Sequence, residues 1–196
     1  MAKSNVASFS IVVIGGSAGS LDVIMNILAE LPVTIPVTYI IILHRKSYSD
    51  STLAELLATK TSLPVKEVED KEALLPRTVY LAPPDYHLLI ENKKSFSLDA
   101  SEKVQFSRPS IDVTFESVAA VFGKEAIGVL LSGANADGAL GLQKIKASGG
   151  YTIVQDPVTA EVDYMPEQAI KLGCVTAVVP ADELGSAIKK LLGSTK

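Results

Sequence analysis

The sequence predicts an α/β protein with a three-layer αβα arrangement around a mostly parallel, doubly wound sheet. Short apolar runs rich in Val and Ile alternate with segments whose apolar residues recur at helical spacing. Such alternation favours a parallel sheet covered by helices on both faces. Between residues 78 and 98 the pattern changes to short alternating runs broken by Pro83-Pro84-Asp85 and Asn92-Lys93-Lys94. These runs are typical of antiparallel hairpins, which we expect at one edge of the sheet.

The elements follow one another without a linker or an internal repeat. Strands and helices are assigned from apolar runs and from helical periodicity, and the helix near Thr52 begins with a capping box that ends at Glu55. We expect one domain over residues 1–196, with a tail at 1–10 and a core at about 11–192. The predicted elements are strand 11–14, helix 21–31, strand 37–43, a helix from 52, a strand around 65, runs 78–82, 87–91 and 96–98, a helix from 110, strand 127–131, a helix through 140–145, strand 151–154, helix 166–171, strand 175–179 and a helix ending at 192.

Composition excludes several classes of function. The net charge is −4 and no dense block of Lys and Arg occurs, which argues against a nucleic-acid partner. No apolar run approaches the ~20 residues that cross a bilayer, and the polar N-terminus lacks the apolar part of a signal peptide, so we expect a cytoplasmic protein without membrane insertion. The single Cys174 fits a reducing compartment. Two histidines and one cysteine are too few for the usual zinc sets, and we expect neither a metal nor a cofactor.

Three loops that follow predicted parallel strands each carry one reactive side chain: Ser17, His44 and Asp137. Ligands bind at the carboxyl ends of strands in open parallel sheets, so we expect these side chains to share one cleft. A serine hydroxyl needs a base to take its proton, and a carboxylate can orient that base. The three residues predict a serine hydrolase in which Ser17 is the nucleophile, His44 the base and Asp137 the orienting acid.

Each of these residues also has a plainer interpretation. Residues 15–19, Gly-Gly-Ser-Ala-Gly, fit a G-x-S-x-G nucleophile elbow with the Ala18 amide as an oxyanion donor. A phosphate-binding turn has the same glycine pattern. A histidine at a strand end is often structural, as we predict for His87 in the hairpin region, and an aspartate before a helix often caps it. The convergence of all three residue types favours catalysis.

Several spaced motifs resemble the catalytic domain of the chemotaxis protein-glutamate methylesterases of the CheB type, and the resemblance extends from Ile11 to about Leu192. The matching segments are Ile14-Gly15-Gly16-Ser17-Ala18-Gly19, the strand ending in His44, Tyr80-Leu81-Ala82-Pro83-Pro84, Arg108-Pro109-Ser110-Ile111-Asp112, Ser132-Gly133 through Asp137-Gly138-Ala139, Gln155-Asp156 and Met165-Pro166.

The resemblance implies an αβα catalytic domain that hydrolyses glutamyl methyl esters on the cytoplasmic helices of methylated chemoreceptors. Some members of this family also deamidate receptor glutamines. The resemblance places the nucleophile at Ser17, the base at His44 and the orienting acid at Asp137, in agreement with the chemistry above. The backbone amides of Ala18 and Ala134 would bind the oxyanion.

The chain departs from the family pattern in four places. About ten residues precede the first predicted strand, so the sequence as given lacks the receiver domain of many members. Ala18 replaces a common threonine, and losing one oxyanion donor costs roughly 10²–10³ in rate. Ala134 stands where methionine is frequent. His44 is followed by Arg45-Lys46-Ser47 in place of Met-Pro.

Three further side chains are predicted at the substrate rim. Arg45 and Lys46 would attract a carboxylate-rich substrate, although solvated loop charges explain them as well. Met165 would shape the cleft, and a core or helix-start role is the alternative. Other functions that stay open are an esterase outside chemotaxis, a signalling or scaffold module with little turnover, and nucleotide binding at the glycine-rich turn.

Overall fold

The structure of the chain, a computed structural model, describes residues 9–45 and 52–193. A seven-stranded sheet lies at its centre, with the strand order β3-β4-β2-β1-β7-β8-β9, and each neighbouring pair is parallel. The strands of this sheet are β1 (Ile11–Gly16), β2 (Thr38–Leu43), β3 (Val65–Glu67), β4 (Val79–Leu81), β7 (Ala126–Leu130), β8 (Tyr151–Gln155) and β9 (Ala177–Val179).

Helices cover both faces of the sheet, which confirms the predicted αβα arrangement. Alternate residues of β1 point to opposite faces, so Val12 and Ile14 join one buried cluster while Ile11 and Val13 join another. The first cluster includes side chains of α1, α2 and α6, and the second includes those of α3, α4 and α5. The helices are α1 (Leu21–Glu30), α2 (Thr52–Ala58), α3 (Ile111–Phe122), α4 (Ala139–Ala147), α5 (Tyr164–Lys171) and α6 (Leu184–Gly193).

The region predicted as hairpins is correct only in part. Strands β5 (His87–Asn92) and β6 (Ser95–Asp99) pair antiparallel, but as a separate two-stranded sheet, and β5 contacts α3. The run 78–82 was wrongly grouped with them, because β4 pairs in parallel with β2 and β3 in the main sheet. A three-residue strand has too little pattern to reveal the direction of its partners; all three of its residues are buried, as is typical of an interior strand of a parallel sheet.

The strand order brings three loops to one place. Strand β1 lies between β2 and β7. The strands that follow β2 in the sheet extend to one side of β1, and those that follow β7 extend to the other side. Such a switch point leaves a crevice outside the carboxyl ends of the strands. The loops after β1, β2 and β7 therefore adjoin one another, and they carry Ser17, His44 and Asp137.

Candidate active site

Ser17 follows β1 directly and begins the turn into α1. Its amide donates to Ser132 O over 2.9 Å, and its carbonyl oxygen accepts from Ser20 Oγ over 2.7 Å. Gly19 has a φ of +76°, in the left-handed region where glycine carries no Cβ penalty. Hydrogen bonds thus hold the Ser17 backbone from both sides, and its side chain faces a cavity next to His44.

His44, directly after β2, and Asp137, in the loop between β7 and α4, form a close pair. His44 Nε2 lies 2.7 Å from Asp137 Oδ2. The carboxylate is fully buried, and only 12% of the His44 side chain is exposed. Because the pair involves Nε2, the neutral ring carries its proton there and has its lone pair on Nδ1. The nitrogen available as a base is therefore Nδ1.

The first turn of α3 holds the Asp137 carboxylate. Oδ1 accepts from Ser110 Oγ (2.8 Å) and from the Asp112 amide (2.9 Å), and Oδ2 accepts from the Ile111 amide (2.7 Å). The unpaired amides at a helix N-terminus stabilise a negative charge, which compensates for burying the carboxylate. Together with the bond from His44, four donors fix the orientation of this side chain.

A second carboxylate makes the reciprocal contact. Asp112, in the first turn of α3, accepts from the amides of Gly138 (2.9 Å) and Gly141 (2.7 Å) at the start of α4. Each of the two carboxylates therefore binds the amino end of the other helix. Burial raises the pKa of Asp112 from 3.8 to about 6; the Gly141 amide opposes that rise, and the nearby Asp137 charge adds to it.

The loop after β7 lies against Ser17. A Cβ on Gly133 would stand 3.1 Å from Ser17 Cβ and 2.3 Å from Met165 Cε, so only glycine fits without displacement. The Ser132 hydroxyl donates to Ala18 O over 2.7 Å and thereby ties this loop to the nucleophile turn. Within the described residues, neither the Ala18 amide nor the amide that follows Gly133 has a protein acceptor. Both are free to bind an oxyanion.

Ser17 and His44 line a cavity of about 330 Å³. No hydrogen bond joins Ser17 Oγ to the imidazole in the part of the chain that the structure describes. Leucines form most of the remaining wall, so the cavity is largely apolar apart from the reactive groups. Its other lining residues are Leu21, Leu43, Arg45, Thr52, Leu53 and Leu56.

Arg45 borders this cavity, but its charge is already paired. Its guanidinium binds the Glu67 carboxylate on β3 and donates to Ala82 O over 3.3 Å, and only 7% of the side chain is exposed. This arrangement gives Arg45 little free charge with which to attract a substrate. Lys46, the second cation predicted at the rim, lies outside the described residues.

Met165 is not at the rim. The side chain is fully buried, and its amide donates to Gly133 O over 3.0 Å. It lies beneath the backbone of the loop because α5 begins at Tyr164 and directs this residue into the core. Met165 thus supports the loop that contacts Ser17, and its predicted place at the substrate rim is corrected to the core role that was the alternative.

His87 is buried and structural, as its place in the hairpin region predicted. Its Nδ1 accepts from the Ser110 amide over 3.2 Å, so its proton is on Nε2, which donates to Glu102 O over 2.9 Å. The ring therefore links β5 to the residue that begins α3. This contact helps to hold the helix whose amides bind Asp137.

Four polar residues that support the site had no role assigned from sequence. Each lies in a segment that carried the family resemblance, and that was the available signal. Gln155 Oε1 accepts from the Ser132 amide over 3.0 Å, which anchors the loop after β7 to β8. The four residues are Ser110, Asp112, Ser132 and Gln155.

Over residues 9–45 and 52–193, no group of three or more His, Cys, Asp and Glu side chains is placed to hold a metal ion. Over the same residues, no helix has the length and apolar character needed to span a membrane.

Comparisons with known proteins agree with one another. The family model described as CheB methylesterase matches residues 12–188. A relative from Leptospira interrogans, provisionally named as a protein-glutamate methylesterase/protein-glutamine glutaminase, is 42% identical over 94% of this chain and 95% of its own length. A relative from Carboxydothermus hydrogenoformans, named as protein-glutamate methylesterase/protein-glutamine glutaminase 1, is 43% identical over 91% of this chain, which spans 54% of that protein.

The fold has a close counterpart among solved structures. The crystal structure of the Thermotoga maritima CheB methylesterase catalytic domain superposes with a TM-score of 0.89 at 35% sequence identity, and the match covers 94% of this chain and 99% of that one. Sequence and fold lead to the same assignment: the chain belongs to the CheB methylesterase family.

Proposed function

We propose that this chain is a protein-glutamate methylesterase that removes methyl groups from the glutamyl esters of chemoreceptors. The observation that carries the proposal is the His44–Asp137 pair, whose carboxylate is saturated by the first turn of α3, beside the serine that follows β1. The family and the names of the relatives support the substrate class. A cytoplasmic location is part of this proposal.

The first half of the reaction forms an acyl-enzyme. Ser17 Oγ attacks the ester carbonyl and transfers its proton to His44 Nδ1. Asp137 stabilises the imidazolium that results, and the amides of Ala18 and Ala134 donate to the oxyanion. When the tetrahedral intermediate collapses, His44 returns the proton to the departing methoxide, which leaves as methanol.

The second half regenerates the enzyme. A water molecule enters the position that methanol has left, and His44 Nδ1 takes its proton as the water attacks the acyl carbon. Collapse of the second intermediate returns the proton to Ser17 Oγ and releases a glutamyl carboxylate. The same steps convert a glutamine to a glutamate with ammonia as the leaving group, an activity that the names of the relatives include.

The test is methanol release from a methylated chemoreceptor signalling domain. We expect release by the wild type and its loss in Ser17→Ala, while Ser186→Ala, an exposed serine on α6, serves as the matched control. Ammonia release from the unmethylated glutamine form, measured in parallel, gives the ratio of the two activities. The absence of methanol release by the wild type would refute the proposal.

A fluorophosphonate probe separates the alternatives if methanol release fails. Labelling of the wild type but not of Ser17→Ala would indicate a serine hydrolase with a different substrate. The absence of labelling in both proteins would favour a module that has kept the fold without turnover.

A further inference from the structure

A tight turn at residues 104–107 reaches the imidazole from outside the sheet. Val104 and Ser107 exchange two backbone hydrogen bonds, of 3.2 and 2.9 Å, across Gln105 and Phe106. These two central residues have φ values of +50° and +62°. Turns with both central residues in the left-handed region favour Asn-Gly, because other side chains are strained there. The local backbone therefore gives no reason for a phenylalanine at this position.

The turn is fastened to the candidate active site. Ser107 Oγ lies 3.4 Å from His44 Nδ1, the nitrogen that we assign as the base. Asn135 Nδ2, from the loop after β7, donates to Ser107 Oγ over 3.3 Å and to Gln105 O over 3.4 Å. A molecule that binds this turn thus lies next to the imidazole.

Phe106 has no packing role in the fold. Its side chain is 95% exposed, although burial of a phenyl ring would stabilise the fold. Exposed aromatic side chains next to a functional cleft are typical anchors for a protein partner. Both the strained backbone and the exposed ring point to a contact made outside this chain.

We propose that Phe106 docks the protein substrate by packing against apolar side chains that flank the modified glutamate on its helix. This inference rests on the proposed function and deepens it. Residues three and four positions apart lie on the same face of a helix, so a helix whose ester reaches Ser17 presents neighbouring side chains to the adjacent turn. A second copy of the chain bound at Phe106 would cover the cleft, and the net charge of −4 disfavours an anionic lipid surface.

The test compares a protein substrate with a small ester. We would measure kcat/KM on the methylated signalling domain and on p-nitrophenyl acetate, and take the ratio. The ratio is expected to fall at least tenfold in Phe106→Ala, mainly through KM, and to recover in Phe106→Leu, which restores an apolar side chain. Leu75→Ala is the matched control, because Leu75 is 55% exposed at the opposite end of the sheet, where its carbonyl accepts from Thr38 at the start of β2.

A glycine variant separates docking from folding. Phe106→Gly removes the ring and also relieves the left-handed backbone, so its stability is expected to equal or exceed that of the wild type. Its ratio should nevertheless fall as far as that of Phe106→Ala. Equal ratios in the wild type and in both variants would overturn the proposal.

Binding tests the docking separately from the chemistry. In a Ser17→Ala background, the dissociation constant for the signalling domain should rise at least tenfold when Phe106→Ala is added. This result supports docking even if the wild type releases no methanol, which would refute only the proposed function. The docking proposal is overturned if the Ser17→Ala protein does not bind the domain, or if Phe106→Ala instead dissolves a dimer seen by sedimentation or abolishes liposome binding.

Discussion

Replacement of Asp112 by asparagine tests the free-energy cost of placing two buried carboxylates, Asp112 and Asp137, where α3 and α4 meet. Only 4% of the Asp112 surface is exposed, and the ionised side chain lies near the Asp137 charge. Asparagine keeps an oxygen that can accept from the Gly138 and Gly141 amides, but it removes the second negative charge. The substitution therefore separates the hydrogen bonds of this side chain from the free-energy cost of its ionisation.

The magnitude follows from the raised pKa. A pKa of about 6 in the folded chain, against 3.8 for an ordinary aspartate, means that the ionised carboxyl destabilises the fold by about 3 kcal/mol. Because folding raises this pKa, the protonated carboxyl favours the folded state. Its contribution to the free energy of unfolding is complete below pH 3.8 and is lost as the pH rises through 6. Between pH 5 and pH 8, the wild type should lose about 1.4 kcal/mol of unfolding free energy relative to Asp112→Asn.

Urea unfolding at a series of pH values measures this difference. The chain has no tryptophan, so far-ultraviolet circular dichroism is the suitable probe. Groups that titrate in both proteins cancel when the two curves are subtracted. Asp22→Asn, which removes an exposed carboxylate on α1, gives the background effect of losing one charge.

Two results would refute this reasoning. If the difference between the wild type and Asp112→Asn is the same at pH 5 and pH 8, Asp112 does not titrate in this interval. If the variant is less stable than the wild type at pH 8, the charge-assisted hydrogen bonds from the two amides outweigh the cost of burial.

Three further substitutions test other parts of the site. Asp137→Asn should lower kcat on the signalling domain by roughly 10³–10⁴, as expected when a base loses its orienting carboxylate, with circular dichroism as the control for folding. Gly133→Ala should destabilise the fold by about 1–3 kcal/mol, because its Cβ would stand 2.3 Å from Met165 Cε. Adding Met165→Ala should partly restore the free energy of unfolding. If the losses of the two single variants simply add in the double variant, the two side chains do not contact each other. Arg45→Met should cost about 1–2 kcal/mol by breaking the pair with Glu67, while a change confined to the salt dependence of kcat/KM would indicate substrate attraction instead.

The general architecture and the meeting of three loops could be predicted from the sequence. The apolar runs before Ser17, His44 and Asp137 are long enough to identify strands, and the edge rule for parallel sheets then brings their carboxyl ends together. The structure places these loops as predicted, and their catalytic roles stay predictions until the variants are measured. Periodicity within single elements was sufficient to place the three loops at one edge of the sheet, while their contact also depends on the strand order, which puts β1 between β2 and β7.

The errors arose where a partner distant in the sequence decides the outcome. Arg45 lines the cavity as expected, but its charge was expected to attract substrate, because nothing near it in the chain reveals that β3 brings Glu67 to its guanidinium. The role of Asp112 was missed for the same reason, since its acceptor oxygen meets amides 26 and 29 residues further along the chain. Met165 precedes a proline at a helix start, a local pattern that does not distinguish surface from core, and the tertiary structure places it in the core.

The predicted triad occurs in the order Ser, His, Asp along this chain. The reciprocal contacts of the Asp137 and Asp112 carboxylates explain how its acid, Asp137, is held in one orientation. Asp137, in the loop before α4, accepts hydrogen bonds from the first turn of α3, and Asp112 in α3 accepts hydrogen bonds from the first amides of α4. A shift of the loop or of the helix would therefore break contacts at both helices. The two helices approach so closely that a Cβ on Gly141 would stand 2.9 Å from Asp112 Cα. Because this junction is part of the core between α3 and α4, the orientation of Asp137, and through it of His44, depends on helix packing rather than on the conformation of one loop. The functional cost of disturbing the junction should therefore appear in kcat, since the imidazole would lose its alignment.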